Sequence, residues 1–590
     1  MSSRLRDLLW VALAGAVLFL PALGSRDLWN PDEARYAQVA REMRESGQYV
    51  VPHLNGELYM QKPPLLFWSI AAASAPWGRV TEISARLPSA VAAILALLVV
   101  FRLAERLFGR RAAWLAAAAF GTCHKVLWQG RFGQIDMLLT MLVAVAVWFW
   151  VRAETEERPA LGWLFFLFAG LATLAKGPVG LLPPLLAILA WTAWERDRPA
   201  LRRLKVGRGL LLWAGVVLAW LAPAAAIAGR EYLETMVLRQ NLTRYADPWH
   251  HHQPWYYYLT VLPADFFPWI FLLPAALVAG WPLLRRGRGW RAAGHGPAAE
   301  AAGAADDEAG WGDPAERARR GLRFALCWVV VTLVFFSLSP GKRTVYILTM
   351  YPGLALLVGA GLDRLAARWR GAAPSGGEAG AGGAVAAAPS RAPRRAWLLV
   401  PLGLLALLLL GILVALPLEG AKRPELEVLG TAFLWSLEAG VALLAAGVLA
   451  AFLCAFRRRV VAMTGSLAAG MAALLLVGAF LLFPPFDAYK SARPLSAELV
   501  ARTAPGEPYG IYPRLDNTFL FYTGRFAESL DSEQELRAFV ARPGRAWVLA
   551  ERDDLAKLDE PLALVEVARD ADPKDGYLLL TERPEPRAQR

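Results

Sequence analysis

Charged side chains are scarce in this 590-residue chain. Only 19% of the residues are Asp, Glu, Lys or Arg, and stretches such as 397–416 and 464–483 contain none of them. Soluble domains carry about 25% charged residues, and about 20 consecutive apolar residues are enough to cross a bilayer as a helix. The scarcity of charge therefore excludes an ordinary soluble enzyme and indicates a polytopic membrane protein.

Cysteine is also scarce. Cys123, Cys327 and Cys454 lie in or beside apolar stretches, without metal-binding or redox spacing. This pattern argues against a disulfide framework and a cysteine metal site. Lys and Arg outnumber Asp and Glu by 63 to 50, an excess that suggests nucleic acid as a partner only in soluble chains. In a membrane protein the excess reflects orientation instead, so we expect no nucleic-acid partner.

Apolar stretches of helical length predict a mainly α-helical membrane protein. About thirteen transmembrane helices are expected, near residues 8–24, 85–107, 112–129, 134–151, 160–174, 176–194, 208–229, 259–284, 322–338, 343–361, 397–417, 428–455 and 460–483. Residues 8–24 also fit, less well, a cleaved signal peptide. Residues 64–76 are apolar but short and begin after two prolines, so we predict that they do not span.

The charges in the loops predict which ends of these helices lie on the cytoplasmic side. Cytoplasmic loops hold an excess of Lys and Arg, and an inside N-terminus places the clear majority of loop cations inside. This topology predicts a transmembrane domain over residues 1–483 with a large outer loop at 25–84. Residues 484–590 are richer in charge and form a small soluble α/β domain on the periplasmic side. Its expected elements are strands at 509–512, 519–522, 547–550, 564–567 and 577–581 and a helix at 531–541.

Ionisable residues collect at the predicted outer ends of the helices, and Glu438 is the main exception. A charge at the bilayer centre is costly, so this distribution indicates one outer-face site rather than a central channel. A secondary transporter is the non-enzyme alternative, but the chain shows no internal repeat. The outer residues include Asp32, Glu33, Lys62, Arg131, Asp136, Lys176, Arg244, His250, His251, His252, Lys342 and Arg343.

Each feature also has an ordinary structural interpretation. Asn30, Pro31, Asp32 and Glu33 fit the start of a helix, with Asn30 as N-cap and the acids in the first turn. A lone lysine at a membrane boundary is usually an anchor. What favours a functional site is that carboxylates and cations share one face.

An ordered set of motifs resembles the bacterial aminoarabinose (4-amino-4-deoxy-L-arabinose) transferase and protein mannosyltransferase families. The resemblance covers most of residues 20–360. Its motifs are Arg26–Tyr36, Lys62-Pro63-Pro64, Arg131…Asp136, Lys176-Gly177-Pro178, Asn241…Arg244-Tyr245, Pro254–Tyr257 and Lys342…Tyr346.

The resemblance implies a GT-C fold and a glycosyltransferase activity in the bacterial inner membrane. Such an enzyme moves a sugar from a polyprenyl (undecaprenyl) phosphate donor to lipid A or another envelope glycan, with inversion. Transfer to protein, as in the O-mannosyltransferases, is the alternative within the enzyme class. The implied partners are the lipid-linked donor, a lipid or glycan acceptor and the bilayer.

The resemblance also implies roles for individual residues. Asp32 is the first candidate for the catalytic base, with Asp136 in support and Glu33 as the adjacent alternative. The leaving phosphate needs fixed positive charge or a metal. His251 and His252 are candidate ligands for Zn²⁺, Mn²⁺ or Mg²⁺, although a solvated loop explains them equally. The candidates for substrate binding are Tyr59, Lys62, Arg131, Lys176, Arg244, Lys342 or its neighbour Arg343, and Tyr346.

Overall fold

The computed structural model describes residues 2–582 except 157, 244, 246–250, 286–310, 312, 371–394, 421–428, 505 and 571–575. Helices dominate the first 482 residues. The first nine are α1 (Ser3–Phe19), α2 (Asp32–Ser46), α3 (Leu65–Ala73), α4 (Glu82–Phe108), α5 (Arg110–Gly121), α6 (His124–Gln129), α7 (Ile135–Thr155), α8 (Gly162–Lys176) and α9 (Leu182–Glu195). The next nine are α10 (Arg198–Leu204), α11 (Val206–Glu234), α12 (Tyr257–Asp265), α13 (Leu273–Arg285), α14 (Pro314–Leu338), α15 (Tyr351–Trp369), α16 (Ala396–Gly420), α17 (Thr431–Phe456) and α18 (Val460–Val477).

Ten helical segments in the described part of the chain are long and apolar enough to cross a membrane. They correspond to ten of the thirteen predicted spans, and the chain is a multi-pass membrane protein. The other three predictions fall on α1, on α5 with α6, and on α12 with α13, which are shorter helices. The nine residues of α3 rise only about 14 Å as a helix, less than the roughly 30 Å of hydrocarbon. This length bears out the prediction that residues 64–76 do not span.

One helical segment forms the centre of the bundle. In the segment Thr344–Trp369, which ends with α15, 94% of the most apolar window is buried, against 11% for the segment that contains α11. Small residues let the neighbours of α15 approach closely. A Cβ added at Gly359 would lie 2.7 Å from the carbonyl oxygen of Ala112 on α5. Glycine at this position therefore sets the spacing between α5 and α15.

A five-stranded mixed sheet forms near the C-terminus, as expected for the small α/β domain. Its strands are β3 (Tyr509–Tyr512), β4 (Glu528–Ser529), β5 (Trp547–Glu551), β6 (Leu564–Arg569) and β7 (Tyr577–Glu582), in the order β4-β3-β5-β7-β6. Pairing is parallel between β3 and both β4 and β5, and antiparallel for β5–β7 and β6–β7. The boundary expected at residue 484 stays a prediction.

Helices cover both faces of this sheet. They are α20 (Arg493–Arg502), α21 (Asn517–Thr523), α22 (Glu533–Val540) and α23 (Arg552–Leu555). A further short helix, α19 (Asp487–Lys490), precedes them in the chain. Trp547 and Leu549 of β5 pack in one buried cluster with residues of α20 and α21. Val548 and Ala550 pack in a second cluster with residues of α22. This alternation is the period of two expected for a strand.

The strand predicted at residues 519–522 is wrong, because these residues belong to helix α21. The side chain of Asp516 accepts a hydrogen bond from the Thr518 amide and caps the helix start. Gly524, with φ of 71°, ends it in the left-handed conformation. Aromatic composition alone favoured a strand, whereas these two flanking signals favour a short helix.

The sheet lies against the end of the bundle at which α2 begins, which we call the sheet end. A two-stranded hairpin, β1 (His53–Leu54) and β2 (Glu57–Leu58), contacts it there, because Asn55 and Ala527 exchange two hydrogen bonds. At the far ends of α9 and α14, the buried Glu195 pairs with Arg319 and Arg323.

We expect Gly359→Ala to destabilise the bundle by about 1–3 kcal/mol, because the new methyl group would force α5 and α15 apart. Thermal unfolding of the purified protein in detergent measures the loss. Gly411→Ala is the matched control, since a Cβ at this helical position meets no atom within 4 Å. Equal unfolding temperatures for the two variants would contradict this account of the packing.

Candidate active site

Asp32, the first residue of α2, lies at the sheet end of the bundle. Its Oδ2 atom accepts hydrogen bonds from Gln134 Nε2 at 3.1 Å and from Arg343 Nη2 at 3.1 Å. Arg35, one turn along α2, places a third nitrogen 3.9 Å from the carboxylate. Asp32 is 7% exposed. The carboxylate is therefore fixed in orientation and largely shielded from solvent.

A second carboxylate, Asp136, lies in the first turn of α7. Its Oδ1 atom accepts a hydrogen bond from Nζ of Lys176, the last residue of α8. The Lys176 ammonium also lies 4.6 Å from the ring centroid of Tyr346, within the range of a cation–π contact. Three separate elements thus place a carboxylate, an ammonium and a phenol side by side.

Arg343 connects the two carboxylates. Desolvation acts to lower the pKa of its guanidinium, but the charges of Asp32 and Asp136 outweigh this and raise the pKa above its usual range. Tyr346 acts in the same direction. About a third of the Arg343 side chain, 34%, is exposed, against 13% for that of Lys176. The pocket therefore holds two carboxylates and two cations, and Arg343 is its more accessible cation.

Tyr36 is a further member of this group. Burial raises the pKa of its phenol, and the nearby Asp32, Tyr59 and Asp136 act in the same direction. Tyr59 is itself buried at 4% exposure, and its ring meets Phe67 edge-on at 5.8 Å. The predicted site residues Asp32, Tyr59 and Asp136 therefore surround one buried phenol.

Glu33 occupies a closed network behind Asp32. Its carboxylate accepts hydrogen bonds from Arg26 at 2.7 and 3.1 Å, from Arg86 at 2.9 and 3.0 Å, and from the Gly133 amide at 2.9 Å. Burial acts to raise the pKa of Glu33, but the two guanidinium groups lower it to about 2. Both carboxylate oxygens are thus paired with buried guanidinium groups, an arrangement suited to positioning the start of α2. The alternative role of Glu33 as the base stays a prediction.

Arg131 anchors the loop that carries Gln134. Its guanidinium donates hydrogen bonds to the carbonyl oxygens of Leu18, at 2.9 Å, and Pro21. The hydroxyl of Ser89 donates to the carbonyl of Gln134 at 3.0 Å. These bonds place the guanidinium of Arg131 against backbone carbonyls, and its predicted contact with the substrate stays a prediction.

Lys342 is buried and faces away from Asp32. Its ammonium donates hydrogen bonds to the carbonyl oxygens of Ser339, at 2.5 Å, and Gln253, at 3.0 Å. Burial lowers the pKa of this group. Of the two adjacent cations it is therefore Arg343, not Lys342, that contacts a carboxylate of the site.

Two further predicted donors are Lys62 and Arg244. Lys62 is half-buried in the turn that precedes α3. Arg244 lies outside the described residues, so its predicted contact with the donor phosphate stays a prediction.

The predicted metal ligands His251 and His252 are exposed, and His252 forms an isolated β-bridge with Gly341. Within the described ranges, no group of three or more His, Cys, Asp or Glu side chains is arranged to hold a metal ion. His250 lies outside those ranges. The described residues therefore supply no third ligand for the expected ion.

The sequence predictions assign no role to several residues of the site, among them Tyr36, Arg86 and Gln134. Tyr36 and Gln134 lie inside two of the family motifs, beside the charged residues that were predicted to act. Their position in these motifs was the only sequence signal for a place in the site. Arg86 is a charge at the start of an apolar stretch, which usually requires a buried partner. That partner, Glu33, is 53 residues away in the chain, and no local pattern identifies it.

We expect Glu33→Gln to destabilise the protein strongly, by about 3–5 kcal/mol, because it leaves the charges of Arg26 and Arg86 buried without a counter-ion. Thermal unfolding in detergent at neutral pH measures the change. Glu45→Gln on the same helix is the control, because the Glu45 side chain is 61% exposed in its pair with Arg41. Similar losses in both variants would contradict a special role for Glu33.

The same network predicts an acid limit of stability. The folded-state pKa of Glu33, about 2, lies below its ordinary value of 4.5, so its stabilisation is complete above pH 4.5 and is lost as the pH falls towards 2. The unfolding temperature of the wild type should therefore fall across this interval more steeply than that of Glu33→Gln. Parallel curves would contradict the assignment.

Comparisons with known proteins agree with the motifs. The family model described as dolichyl-phosphate-mannose-protein mannosyltransferase matches residues 61–224. The undecaprenyl phosphate-alpha-4-amino-4-deoxy-L-arabinose arabinosyl transferase of Erwinia tasmaniensis is 32% identical over 360 residues, which cover 60% of this chain and 59% of that protein. The transferase of the same name from Pectobacterium carotovorum is 33% identical over 361 residues, or 60% of this chain and 58% of that protein.

These alignments span less than two thirds of the curated relatives. The resemblance to the two transferase families that the motifs indicate is confirmed.

The fold extends the similarity to the whole chain. The crystal structure of ArnT from Cupriavidus metallidurans bound to undecaprenyl phosphate superimposes with a TM-score of 0.74 at 22% identity, over 99% of this chain and 100% of that chain. The apo state of the same protein gives a TM-score of 0.75 at 20% identity. The predicted fold class, a GT-C-type helical membrane protein with a small C-terminal α/β domain, is confirmed.

Proposed function

We propose that the protein is a membrane glycosyltransferase that moves a sugar from a polyprenyl (undecaprenyl) phosphate donor to lipid A or another envelope glycan, by inverting transfer. The transfer takes place at the outer face of the bacterial inner membrane. The site residues are Asp32 and Asp136 with the cations Lys176 and Arg343. Lys62, Arg244, Tyr59 and Tyr346 complete the donor site.

The arrangement of Asp32 carries this proposal. The carboxylate is held 3.1 Å from Arg343 and lies in the same pocket as Asp136 and Lys176. A base beside fixed cations is the pair of groups that transfer from a lipid phosphate requires. The names of the relatives support the same chemistry, and one of the two similar ArnT crystal structures is bound to undecaprenyl phosphate.

In this reaction an acceptor hydroxyl oxygen forms a bond to the anomeric carbon of the sugar. The bond between that carbon and the phosphate oxygen breaks, and the electron pair leaves with the lipid phosphate. Asp32 takes the proton of the attacking hydroxyl. Attack from the face opposite the phosphate inverts the configuration of the sugar.

The cations stabilise the charge that develops on the leaving phosphate. Arg343 presents a planar, permanently charged group suited to phosphate oxygens, and its partial exposure lets a ligand reach it. Tyr346, which the Lys176 ammonium contacts, supplies a hydroxyl donor near the same position. Asp136 keeps Lys176 in place through their ion pair.

The proposal also includes the domain organisation of the chain. Residues 1–483 form the transmembrane domain, with the large first loop at 25–84. Residues 484–590 form the periplasmic α/β domain.

A divalent metal does not fit the described residues, because His251 and His252 are exposed neighbours without a third ligand, so no step is assigned to a metal.

The direct test uses the purified full chain with lipid A and undecaprenyl-phosphate-linked aminoarabinose. We expect mass spectrometry to detect lipid A that carries the added sugar and to find it missing in a deletion strain. A modified protein in place of a modified glycan would favour the O-mannosyltransferase alternative. Unchanged lipids, glycans and proteins under inducing conditions would contradict the proposal.

We expect Asp32→Asn to lower kcat by about 10²–10⁴-fold, because the amide cannot accept the acceptor proton. Donor binding should be retained, since Asn keeps the size of the side chain. Initial rates with saturating donor measure kcat. Asp553→Asn is the matched control, as Asp553 is exposed in α23. Undiminished turnover in Asp32→Asn would exclude Asp32 as the base.

A further inference from the structure

The segment that leads into Asp32 is held by residues more than 450 positions later in the chain. The amide of Asp27 donates to Oδ2 of Asp487 at 2.8 Å, and the indole nitrogen of Trp29 donates to Oδ1 of the same carboxylate at 2.9 Å. The amide of Leu28 donates to the hydroxyl of Tyr522 at 2.7 Å. Residues 27–29 form no helix or strand, so their backbone amides need other acceptors. The amides of Asp27 and Leu28 find them in the C-terminal region, whereas that of Trp29 donates to Glu33 at 3.4 Å.

Asn30 takes part in the same set of contacts. Its side-chain amide donates to Oδ2 of Asp516 at 2.9 Å. The expectation that Asn30 caps α2 is wrong, because the residue before the helix is Pro31 and no side chain caps its start. The residues around the C-terminal sheet therefore restrain the segment before α2, in addition to the hydrogen bonds of Arg86 to this segment and to Glu33.

A second segment of the site is held in the same way. The side-chain amide of Asn55, in the β1–β2 turn, donates to the Ala527 carbonyl at 2.8 Å, and the Ala527 amide donates back at 3.0 Å. The Glu42 carboxylate accepts the amides of Asn55, at 2.8 Å, and Gly56, at 3.1 Å. The hairpin that precedes Tyr59 and Lys62 is thus tied both to α2 and to the C-terminal region.

Two arginines complete this contact surface. Arg41 of α2 donates to the carbonyl of Phe521, at the end of α21, at 3.0 Å. Arg493 forms ion pairs with Asp27, at 3.0 Å, and with Glu82 at the start of α4. The hydroxyl of Tyr522 also donates to Glu82 at 3.3 Å. One tyrosine hydroxyl therefore joins the first loop and the first turn of α4.

We propose that residues 487–527 are a positioning part of the active site. Through Asp487, Tyr522 and Asp516 they fix the segment that carries Asp32, and through Ala527 they fix the hairpin that precedes Lys62. The two sides of the site thus share contacts with one C-terminal segment, in addition to the hydrogen bonds that tie the first loop and Glu33 to Arg86 of α4. This inference rests on the proposed function, because it assigns the contacts a consequence for transfer.

The two sides predict different kinetic effects. Loss of the Tyr522 hydroxyl releases the Asp32 segment, and small displacements of a catalytic group lower turnover by about 10- to 100-fold. Tyr522→Phe should therefore lower kcat and leave the KM for the lipid-linked donor within about twofold. Asn55→Ala releases the hairpin and should raise that KM more than it lowers kcat.

Hydrogen–deuterium exchange on the full chain in detergent supplies a readout that does not depend on activity. Tyr522→Phe should raise exchange in peptides over residues 26–38, and Asn55→Ala in peptides over 50–62. Asp516→Asn is a second conservative variant for the first segment. Arg569→Ala is the control, because Arg569 pairs with Glu566 on β6, outside residues 487–527, with 62% of its side chain exposed, and this variant should change neither exchange nor rates.

Raised exchange at 26–38 with lower kcat and constant KM supports the inference. Unchanged exchange in Tyr522→Phe and Asp516→Asn would overturn it. So would a parallel change of kcat and KM with raised exchange throughout the chain, since that result indicates general destabilisation. If the wild type transfers no sugar while exchange at 26–38 rises in the variants, the positioning contacts stand and the proposed function fails.

Discussion

The paired guanidinium groups of Arg26 and Arg86 around the Glu33 carboxylate are the constraint on which the site depends. The carboxylate is fully enclosed at 2% exposure, and an isolated buried charge of this kind is strongly unfavourable. The network joins three separate segments: the first loop, the start of α4 and, through the Gly133 amide, the loop before α7. The guanidinium groups neutralise the charge of the carboxylate, and the carboxylate accepts their hydrogen bonds. These mutual requirements fix the three segments in one relative position. Asp32 directly precedes Glu33 in the chain, so the same network restrains the position of Asp32.

The remaining site is assembled from helix ends. Asp32 starts α2, Asp136 lies in the first turn of α7 and Lys176 ends α8. Acidic side chains are favoured at helix starts and basic ones at helix ends, so antiparallel neighbours α7 and α8 bring opposite charges together at one end of the bundle. This placement gives polar chemistry to a protein whose helices are otherwise apolar, and it requires no charge at the centre of a span. The polar site consequently lies at the sheet end of the bundle.

Contacts between the first loop and residues 487–527 explain why such a sheet lies at this end. The segment 27–30 has no regular secondary structure and takes its hydrogen-bond acceptors from Asp487, Tyr522 and Asp516. The ordering of the loop before α2 and the folding of the C-terminal region are therefore linked. The proposed reaction needs a base held to a fraction of an ångström, and the network around Glu33 and these contacts restrain the candidate base Asp32 from two directions.

Composition and periodicity alone determined that the chain is a helical membrane protein, because apolar runs and the distribution of Lys and Arg are local properties that any arrangement of the helices must satisfy. The ordered motifs also made Asp32, Asp136 and Lys176 candidates, since charges at helix ends are visible in the chain. Only the tertiary structure decided which ion pairs form: Arg343 rather than Lys342 meets Asp32, Glu33 is saturated by arginines, and Arg131 binds backbone carbonyls. Residues 519–522 form a helix, not a strand. The side chain of Asn30 donates a hydrogen bond to Asp516 and does not cap α2. Partners that lie tens to hundreds of residues apart leave no mark on local sequence, because their pairing is fixed only when the helices pack and exclude water.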